Sequence, residues 1–198
     1  MTEPLRIYVS GPAGSGKTEV ARLLQVQHGF TRVSLGDLCR AEARRRGWPE
    51  DRAHLQAAGD ALRAGNPARL AALALAQVLG RPGPSVIEGV RLAAEATYLR
   101  ARGVIGVSVE APEHLRAVRL RARDGSSRVP EHVTEREALD LPADLRLLND
   151  GDRAGLDRAV RLMVARAALL QAERTCYARQ AGLSRTPGRR REAAGIER

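Results

Sequence analysis

Residues 5–18 read Leu-Arg-Ile-Tyr-Val-Ser-Gly-Pro-Ala-Gly-Ser-Gly-Lys-Thr, and this stretch decides the fold. Its first six residues form a short apolar run with β-branched side chains, which is typical of a buried strand. A glycine-rich turn follows, and then a helical pattern from Thr18 to about His28. The order strand, loop, helix is the context in which G-x-x-x-x-G-K-[ST] forms a phosphate-binding loop.

The chemistry of phosphate binding explains this spacing. Polyphosphate oxygens need backbone N–H groups at close range, and glycines at 11, 14 and 16 allow the tight wrap that provides them. The following helix N-terminus adds unpaired N–H groups and a favourable dipole. We predict that Lys17 reaches the β- and γ-phosphates of a nucleotide and that the Thr18 hydroxyl is a ligand of Mg²⁺. The remaining predicted nucleotide contacts lie in the same segment: Gly11, Ala13, Gly14, Ser15, Gly16 and Glu19.

The length and composition are those of one α/β domain. The chain has 198 residues with 3% aromatics, so its core must consist mainly of Leu, Val and Ala. No apolar stretch reaches the roughly 18 residues of a membrane span, and the N-terminus enters the first strand at once. Cys39 and Cys176 are far apart and have no metal-site spacing. We therefore expect reduced thiols, no membrane and a cytoplasmic location.

The net charge of +10 raises the possibility of a nucleic-acid partner. Residues 179–198 hold six arginines and two glutamates without apolar periodicity, and we expect this tail to be disordered. Aromatic residues are too few for a base-stacking surface. Any nucleic-acid contact is therefore expected to be non-specific and made through the tail.

Apolar runs and helical patterns alternate along the chain, which predicts an α/β fold with a parallel sheet. Three helical patterns between the second and third strands predict a helical insert over residues 36–80. Within it we expect helices that begin at Pro49 and, with Asn66 as the cap, at Pro67. Gly29 should end the first helix. The five predicted strands cover residues 5–10, 31–34, 85–91 (the third strand together with its exit after Glu88), 104–109 and 145–148.

Polar side chains stand where the predicted strands end, and open α/β sheets place their ligands there. Ser34 ends the second strand, and Asp37 and Arg40 follow in the next helix. Glu88 ends the third strand, where a carboxylate in P-loop proteins holds Mg²⁺ or its water. The alternatives remain open at this point: Arg40 as a solvated helix arginine, and Glu88 as a rim carboxylate without metal.

The helix predicted from Pro112 carries Arg116, Arg119 and Arg123 on one face. A solvated stripe is the usual meaning of such arginines, but three guanidinium groups on one face repel each other unless they share an anion. The polar loop that follows is suited to close over a ligand. We expect the opposite face of this helix to point to the core through Leu115, Val118 and Ala122.

The chain resembles the nucleoside monophosphate kinases of the adenylate kinase type in four successive segments. These are the phosphate loop, Ser34-x-Gly36-Asp37-x-x-Arg40, Glu88-Gly89-x-Arg91, and Arg119-x-x-x-Arg123 before a polar loop. It resembles more closely a group of small P-loop proteins labelled dephospho-CoA kinase-like or nucleotide kinase-like. In that group the helical insert, the strand-end acid-Gly-x-Arg and the Asn-Asp-Gly turn at 149–151 recur in this order.

The resemblance covers about residues 5–170 and implies a three-layer P-loop NTPase fold. It implies an α/β fold with a five-stranded parallel sheet, a helical acceptor-binding insert at 36–80 and a short lid at 123–133. The kinase domain is expected to span residues 1–178. The oligomeric state is left open between monomer and homodimer.

The resemblance also implies a role for each segment. Arg40 and Arg91 would clamp the phosphate of the acceptor, and Ser34, Asp37 and Glu88 would complete the substrate site. Arg119 and Arg123 would act with Lys17 on the phosphoryl group in transfer. Asn149 would lie beside the base of ATP, and Mg²⁺ would be held by Thr18 and, through water, by Glu88.

Two positions depart from the family pattern. The family acid at 88 is usually Asp, and adenylate kinases carry a glutamine that reads adenine where Glu95 stands. The predicted function is transfer of the γ-phosphoryl group of ATP to a nucleotide-type acceptor, most simply a (deoxy)nucleoside monophosphate. The alternatives are a dephospho-CoA kinase and a P-loop ATPase or nucleotide-binding protein associated with nucleic acid.

Overall fold

The computed structural model describes residues 3–124 and 141–180. Five strands form one parallel sheet in the order β2-β3-β1-β4-β5, which confirms the predicted α/β fold. The strands are β1 Arg6–Ser10, β2 Thr31–Ser34, β3 Ser85–Glu88, β4 Ile105–Glu110 and β5 Leu145–Leu148. The helices are α1 Lys17–His28, α2 Leu35–Arg45, α3 Arg52–Arg63, α4 Arg69–Leu79, α5 Ala93–Arg100, α6 Glu113–Asp124 and α7 Arg153–Gln180.

Helices cover both faces of the sheet, as a parallel sheet requires. Alternate residues of β1 point to opposite faces, so Ile7 and Val9 enter one core cluster and Tyr8 enters the other. The first cluster is completed by α1 and α7, and the second by α4 and α5. α1 ends at Gly29, which has φ +67° and caps the helix as predicted.

The strand register brings the carboxyl ends of β1, β2 and β3 to the same edge of the sheet. Glu88 at the end of β3 is paired with Val9 on one side and with Ser34 on the other. The phosphate loop (residues 11–18) leaves β1 one residue beyond this level. The phosphate loop after β1, Ser34 at the end of β2 and Glu88 at the end of β3 therefore lie at the same edge of the sheet.

Three helices lie between β2 and β3, as predicted, but two of them begin later than expected. α3 begins at Arg52 because Asp51 is its N-cap and accepts a hydrogen bond from the His54 backbone N–H at 3.0 Å. α4 begins at Arg69 because Asn66 first forms a turn, in which its side chain accepts from the Ala68 N–H at 3.0 Å. Pro49 stands before the N-cap of α3, and Pro67 lies within the turn that Asn66 begins, so neither proline is in the first turn of its helix.

The prediction for the core-facing side of α6 was wrong. Val118 is 62% exposed and Ala122 is exposed, while Leu115 is half-buried. Leu120 is the buried apolar residue of this helix. The helix is rotated so that Arg119 faces the phosphate loop, where its guanidinium finds backbone oxygens to contact.

A buried carboxylate joins three elements near the amino ends of β4 and β5. The Asp144 side chain is 4% exposed and accepts hydrogen bonds from Arg100, from Arg174 and from the Gly106 backbone N–H. Burial alone raises the pKa of Asp144, but the hydrogen bonds from Arg100, Gly106 and Arg174 outweigh it and hold that pKa below its usual value. This network fastens α5 and α7 to the sheet.

Several predictions lie outside the described residues. They concern most of the lid at 123–133, the Arg123 side chain and the tail beyond residue 180. α7 extends to Gln180, two residues past the predicted domain end. Among residues 3–124 and 141–180, no helix combines the length and apolar character that a membrane crossing needs.

Candidate functional site

The three glycines of the phosphate loop have backbone conformations that other residues rarely adopt. Gly11, Gly14 and Gly16 have φ of +138°, +78° and +95°. Each of them also lies against a different element. A Cβ atom would overlap the Val109 carbonyl at Gly11 and the Asn149 side chain at Gly16, and at Gly14 it would lie 2.7 Å from the backbone oxygen of Arg116. The loop thus has room for backbone only.

The first turn of α1 is open for an anion. Gly16 occupies the N-cap position and provides no side chain to cap the helix, so the first N–H groups have no side-chain cap. Lys17 Nζ donates to the Pro12 carbonyl at 3.0 Å, so its ammonium group lies folded over the loop. The Ser15 hydroxyl is buried and has no hydrogen-bond partner among the described residues. These groups suit the phosphate chain of a nucleotide.

Arg119 and Asn149 hold the phosphate loop from the outside. Arg119 donates to the Gly14 carbonyl at 3.4 Å and to the backbone and side-chain oxygens of Asn149 at 3.2 and 3.4 Å. The Asn149 side chain donates in turn to the Ser15 carbonyl at 2.8 Å. A guanidinium from α6 and an amide from the end of β5 therefore converge on the loop.

Arg116 lies on the same side of α6 as Arg119, one helical turn earlier. Its backbone packs against Gly14, and its Nε atom is buried without a partner among the described residues. A buried donor without an acceptor costs about 1–3 kcal/mol, so an anionic ligand at this place would relieve that cost. The Arg123 side chain, predicted to join this group, lies outside the described part of the chain.

Glu88 makes an ion pair that the sequence did not predict. Arg32 on β2 donates to Glu88 Oε1 through Nε at 3.0 Å and also through Nη2. The Glu88 side chain is 6% exposed, and its Oε2 atom is buried without a partner among the described residues. Arg32 stands two residues before Ser34 and thus on the same face of β2, but only the strand register reveals that Glu88 is beside it.

The oxygen donors at this edge fit a magnesium ion. Glu88 Oε2 is an orphaned carboxylate oxygen, and Thr18 presents an exposed hydroxyl in the first turn of α1. Mg²⁺ prefers oxygen ligands and usually binds through one or two protein groups together with substrate phosphates and water. The described residues contain no group of three His, Cys, Asp or Glu side chains that would form an all-protein metal cage.

Glu19 was predicted to contact the nucleotide, and the structure pairs it with two arginines. Both of its oxygens accept from Arg22 at 2.8 Å, and Arg153 at the start of α7 lies 3.0 Å away. The hydrogen bond from Arg22 lowers the pKa of the Glu19 carboxyl. These pairs join the start of α1 to the start of α7.

The predicted acceptor residues of α2 lie together. Asp37 and Arg40 form an ion pair on the exposed side of the first turn. Arg40 extends back toward the helix start, where an added Cβ at Gly36 would lie 3.4 Å from Ser34 Oγ and 3.7 Å from an Arg40 nitrogen. Gly89 approaches the same place, since its added Cβ would lie 3.7 Å from the Gly36 nitrogen. The exit of β3 therefore borders the start of α2.

A cluster of Arg63, Glu95 and Cys39 joins the insert to α5, and the sequence did not predict that these residues lie together. Arg63 of α3 donates to Glu95 Oε1 at 2.9 Å, and the Glu95 side chain is fully buried. Cys39 is adjacent, because an added Cβ at Gly59 would lie 3.3 Å from its sulfur and 3.1 Å from an Arg63 nitrogen. Burial raises the pKa of the Cys39 thiol, and the charges of Arg63 and Arg91 only partly oppose this.

The fold and the loop geometry define a P-loop protein with the architecture of the small kinases. A family model described as "AAA domain" matches residues 7–140, which is more than half of the chain. A UPF0200 protein of Methanothrix thermoacetophila is 30% identical over 156 residues, which are 71% of this chain and 85% of the relative. The chain belongs to the UPF0200 family, and its P-loop segment belongs to the AAA domain family.

Two solved structures have the same fold at low sequence identity. The Thermus thermophilus protein TT1252 is 22% identical, with a TM-score of 0.60 over 83% of this chain and 98% of its own. A gluconokinase from Sinorhizobium meliloti is 18% identical, with a TM-score of 0.56 over 89% of this chain and 99% of its own. At such identities the likeness establishes the fold and leaves the substrate open.

Proposed function

We propose that this protein is an ATP-dependent small-molecule kinase that transfers the γ-phosphoryl group to a (deoxy)nucleoside monophosphate. The observation that carries the proposal is the contact of Arg119 with both the phosphate loop and Asn149. A P-loop that only binds nucleotide does not need a guanidinium beside it from a distant helix. Phosphoryl transfer does, because charge accumulates on the oxygens of the transferring group.

On the donor side, the loop backbone holds the β- and γ-phosphates and Lys17 turns from the Pro12 carbonyl to them. Arg119 stabilises the transferring group, assisted by Arg123 of the same helix. Asn149, which orders the loop through the Ser15 carbonyl, lies beside the base. No protein nucleophile is required, since the acceptor oxygen attacks the γ-phosphorus directly.

Thr18 and Glu88 are the residues that would hold Mg²⁺. The ion, when bound, neutralises charge on the β- and γ-phosphates. Arg32 keeps Glu88 Oε1 occupied, so the buried Oε2 is the oxygen left to accept from a metal-bound water.

On the acceptor side, Arg40 and Arg91 bind the acceptor phosphate. Ser34 at the end of β2 and Asp37 in the first turn of α2 border the same space. Arg40 reaches the acceptor by leaving its exposed pair with Asp37, and an exposed ion pair is worth only about 0–1 kcal/mol. The helical insert then covers the acceptor and excludes water, which protects ATP from hydrolysis.

Two other acceptors have to be compared. Dephospho-CoA also presents a ribose and phosphates, and the fold shared with a gluconokinase supports testing small hydroxy acids. An ATPase that acts on nucleic acid is the third alternative, suggested by the net charge of +10. The insert between β2 and β3 favours a small acceptor, because it adds a helical cover beside the loop that a hydrolytic switch does not require.

A panel of acceptors tests the proposal. The purified protein is incubated with ATP and Mg²⁺ and with each ribo- and deoxynucleoside monophosphate, dephospho-CoA, gluconate, shikimate, RNA or single-stranded DNA. ADP release and the phosphorylated product are both measured. We expect the highest kcat/KM with one or more monophosphates.

The contrary outcomes are distinct. If only dephospho-CoA or a hydroxy acid is phosphorylated, the proposed acceptor is wrong but the protein is still a kinase. ADP release that depends on RNA or DNA without any phosphorylated product contradicts the kinase proposal.

A further inference from the structure

Glu95 is a buried carboxylate close to the turn after β3, and both of its oxygens accept hydrogen bonds. It is the third residue of α5, and its Oε2 accepts from the backbone N–H groups of Arg91 and Leu92 at 3.0 and 3.2 Å. Its Oε1 accepts from Arg63 Nε and Nη2 at 3.3 and 2.9 Å. The side chain is completely buried, and both oxygens are used within the protein.

These contacts join two segments that are distant in sequence. Arg91 and Leu92 belong to the turn after β3, whereas Arg63 ends α3 inside the helical insert. Arg63 is also 3.3 Å from Asp60 on its own helix, but Asp60 is 80% exposed and that pair is weak. The buried Arg63–Glu95 pair therefore links α3 of the insert to this turn.

We propose that Glu95 is a positioning residue of the acceptor site, which fixes the Arg91 backbone to the insert through Arg63. The proposal rests on the acceptor role given above to Arg91. Glu95 does not touch the acceptor, because neither of its oxygens is exposed or unbonded. It acts by holding Arg91 and the insert in the one arrangement in which both can meet the acceptor phosphate.

Charge explains why a carboxylate is used. Arg63 lies next to the half-buried Cys39, and the charges of Arg63, Arg91 and Arg40 all oppose the rise that burial causes in the pKa of this thiol. Such a cluster repels itself unless an anion is present. Glu95 neutralises Arg63 inside the protein, whereas Arg40 has its counter-charge, Asp37, on the exposed side of α2.

The test compares E95Q and R63K with E42Q. Glu42 is a suitable control because it is a nearly buried carboxylate of α2 that pairs with Arg45 and Arg46, at the far end of that helix. Steady-state kinetics give KM for ATP and for each monophosphate, at a temperature where circular dichroism shows all variants folded. We expect E95Q to raise the acceptor KM about 10-fold or more and to leave the ATP KM within about 2-fold.

R63K keeps the charge but loses the forked donation, so its acceptor KM should lie between those of the wild type and E95Q. E42Q should leave both KM values unchanged. The ranking of acceptor bases should stay the same in E95Q, because the residue does not read the base. An unchanged acceptor KM in E95Q, an equal rise in E42Q, or a new base preference in E95Q would each overturn the proposal.

Hydrogen exchange separates this proposal from the proposed function. In E95Q and in R63K, the amides of Arg91 and Leu92 and those of α3 should exchange faster together, while the phosphate loop keeps its protection. If the wild type phosphorylates no acceptor, the proposed function fails, and this measurement still decides the link. Faster exchange at Arg91 and Leu92 in E95Q without any change in α3 would show that the two segments are not coupled.

Discussion

The phosphate loop and the helical insert meet at the same edge of the sheet, but they are held in different ways. The loop is held by backbone shape and by neutral oxygen acceptors: positive φ at three glycines, and donation from Asn149 and Arg119 to loop carbonyls. In the insert, α4 packs into the apolar core, the buried Arg63–Glu95 pair ties α3 to the turn after β3, and Asp37 and Arg40 form an exposed pair within α2.

This difference predicts how the phosphate loop and the insert respond to a ligand. Backbone contacts in a tight wrap allow one conformation. We therefore expect the phosphate loop to have its binding conformation before a nucleotide arrives. Ion pairs on the surface are screened by salt and exchange partners at little cost. We therefore expect the insert to rearrange when a ligand binds and the phosphate loop to keep its conformation.

The largest effect should come from the loop itself, where space and backbone conformation act together. In G16A, the new Cβ overlaps the Asn149 side chain and the residue is forced to φ near +95°. ATP affinity, measured by isothermal titration calorimetry, should fall by about 100-fold or more. G29A is the matched control, since Gly29 also has positive φ but has nothing within 4 Å of the added Cβ. Equal loss of affinity in both variants would contradict the proposed loop geometry.

The next effect should come from Arg119. R119A should lower kcat by about 10²–10³-fold, as for other groups that stabilise developing charge, with little change in folding stability. R121A provides the comparison, because Arg121 is exposed on the same helix. Steady-state turnover with the best acceptor measures both. An R119A enzyme with normal kcat would remove Arg119 from the catalytic machinery.

A substitution far from both the phosphate loop and the insert should destabilise the whole fold. D144N removes the charge that Arg100 and Arg174 share and should cost about 3 kcal/mol in the free energy of unfolding at pH 7. The lowered pKa of Asp144 means that its contribution is complete above the unfolded value of about 3.9 and is lost as the pH falls below it. Thermal unfolding at pH 7, 5, 4 and 3 should therefore show the gap between wild type and D144N closing toward pH 3. A gap of constant size would show that the charge of Asp144 does not stabilise the fold.

The smallest effect should come from the exposed pair of the insert. D37N should change the free energy of unfolding by less than about 0.5 kcal/mol, since the pair is solvated. The Tm and the acceptor KM at low and high salt measure its contribution. A large stability loss would mean that the insert is as rigidly held as the loop.

Much of the fold was predictable because its signals are local. The five strands and the three helices between β2 and β3 were confirmed, since apolar runs, glycine caps and the phosphate-loop motif are all read within a few residues. The predictions that failed concern orientation: Val118 was assigned to the core by helical periodicity alone, and the structure exposes it. Helical periodicity shows which residues share a face of the helix. It does not show which of these faces packs against the core and which faces the phosphate loop.

The roles of the predicted site residues stay predictions, although the structure brings several of them together. Arg119 and Asn149 meet at the loop, and Ser34, Asp37 and Arg40 meet at the start of α2. Arg32 and Arg63 were not predicted, because nothing near them in sequence identifies the carboxylates that they bind. Their partners, Glu88 and Glu95, are 56 and 32 residues away along the chain.

By itself, the sequence determined the place and the backbone conformation of the phosphate loop, because a motif of eight adjacent residues carries its own backbone geometry. Only the tertiary structure decided how the buried charges are paired. Strand order and helix packing choose which arginine reaches which carboxylate, and in this protein that choice placed Arg32 on Glu88 and Arg63 on Glu95.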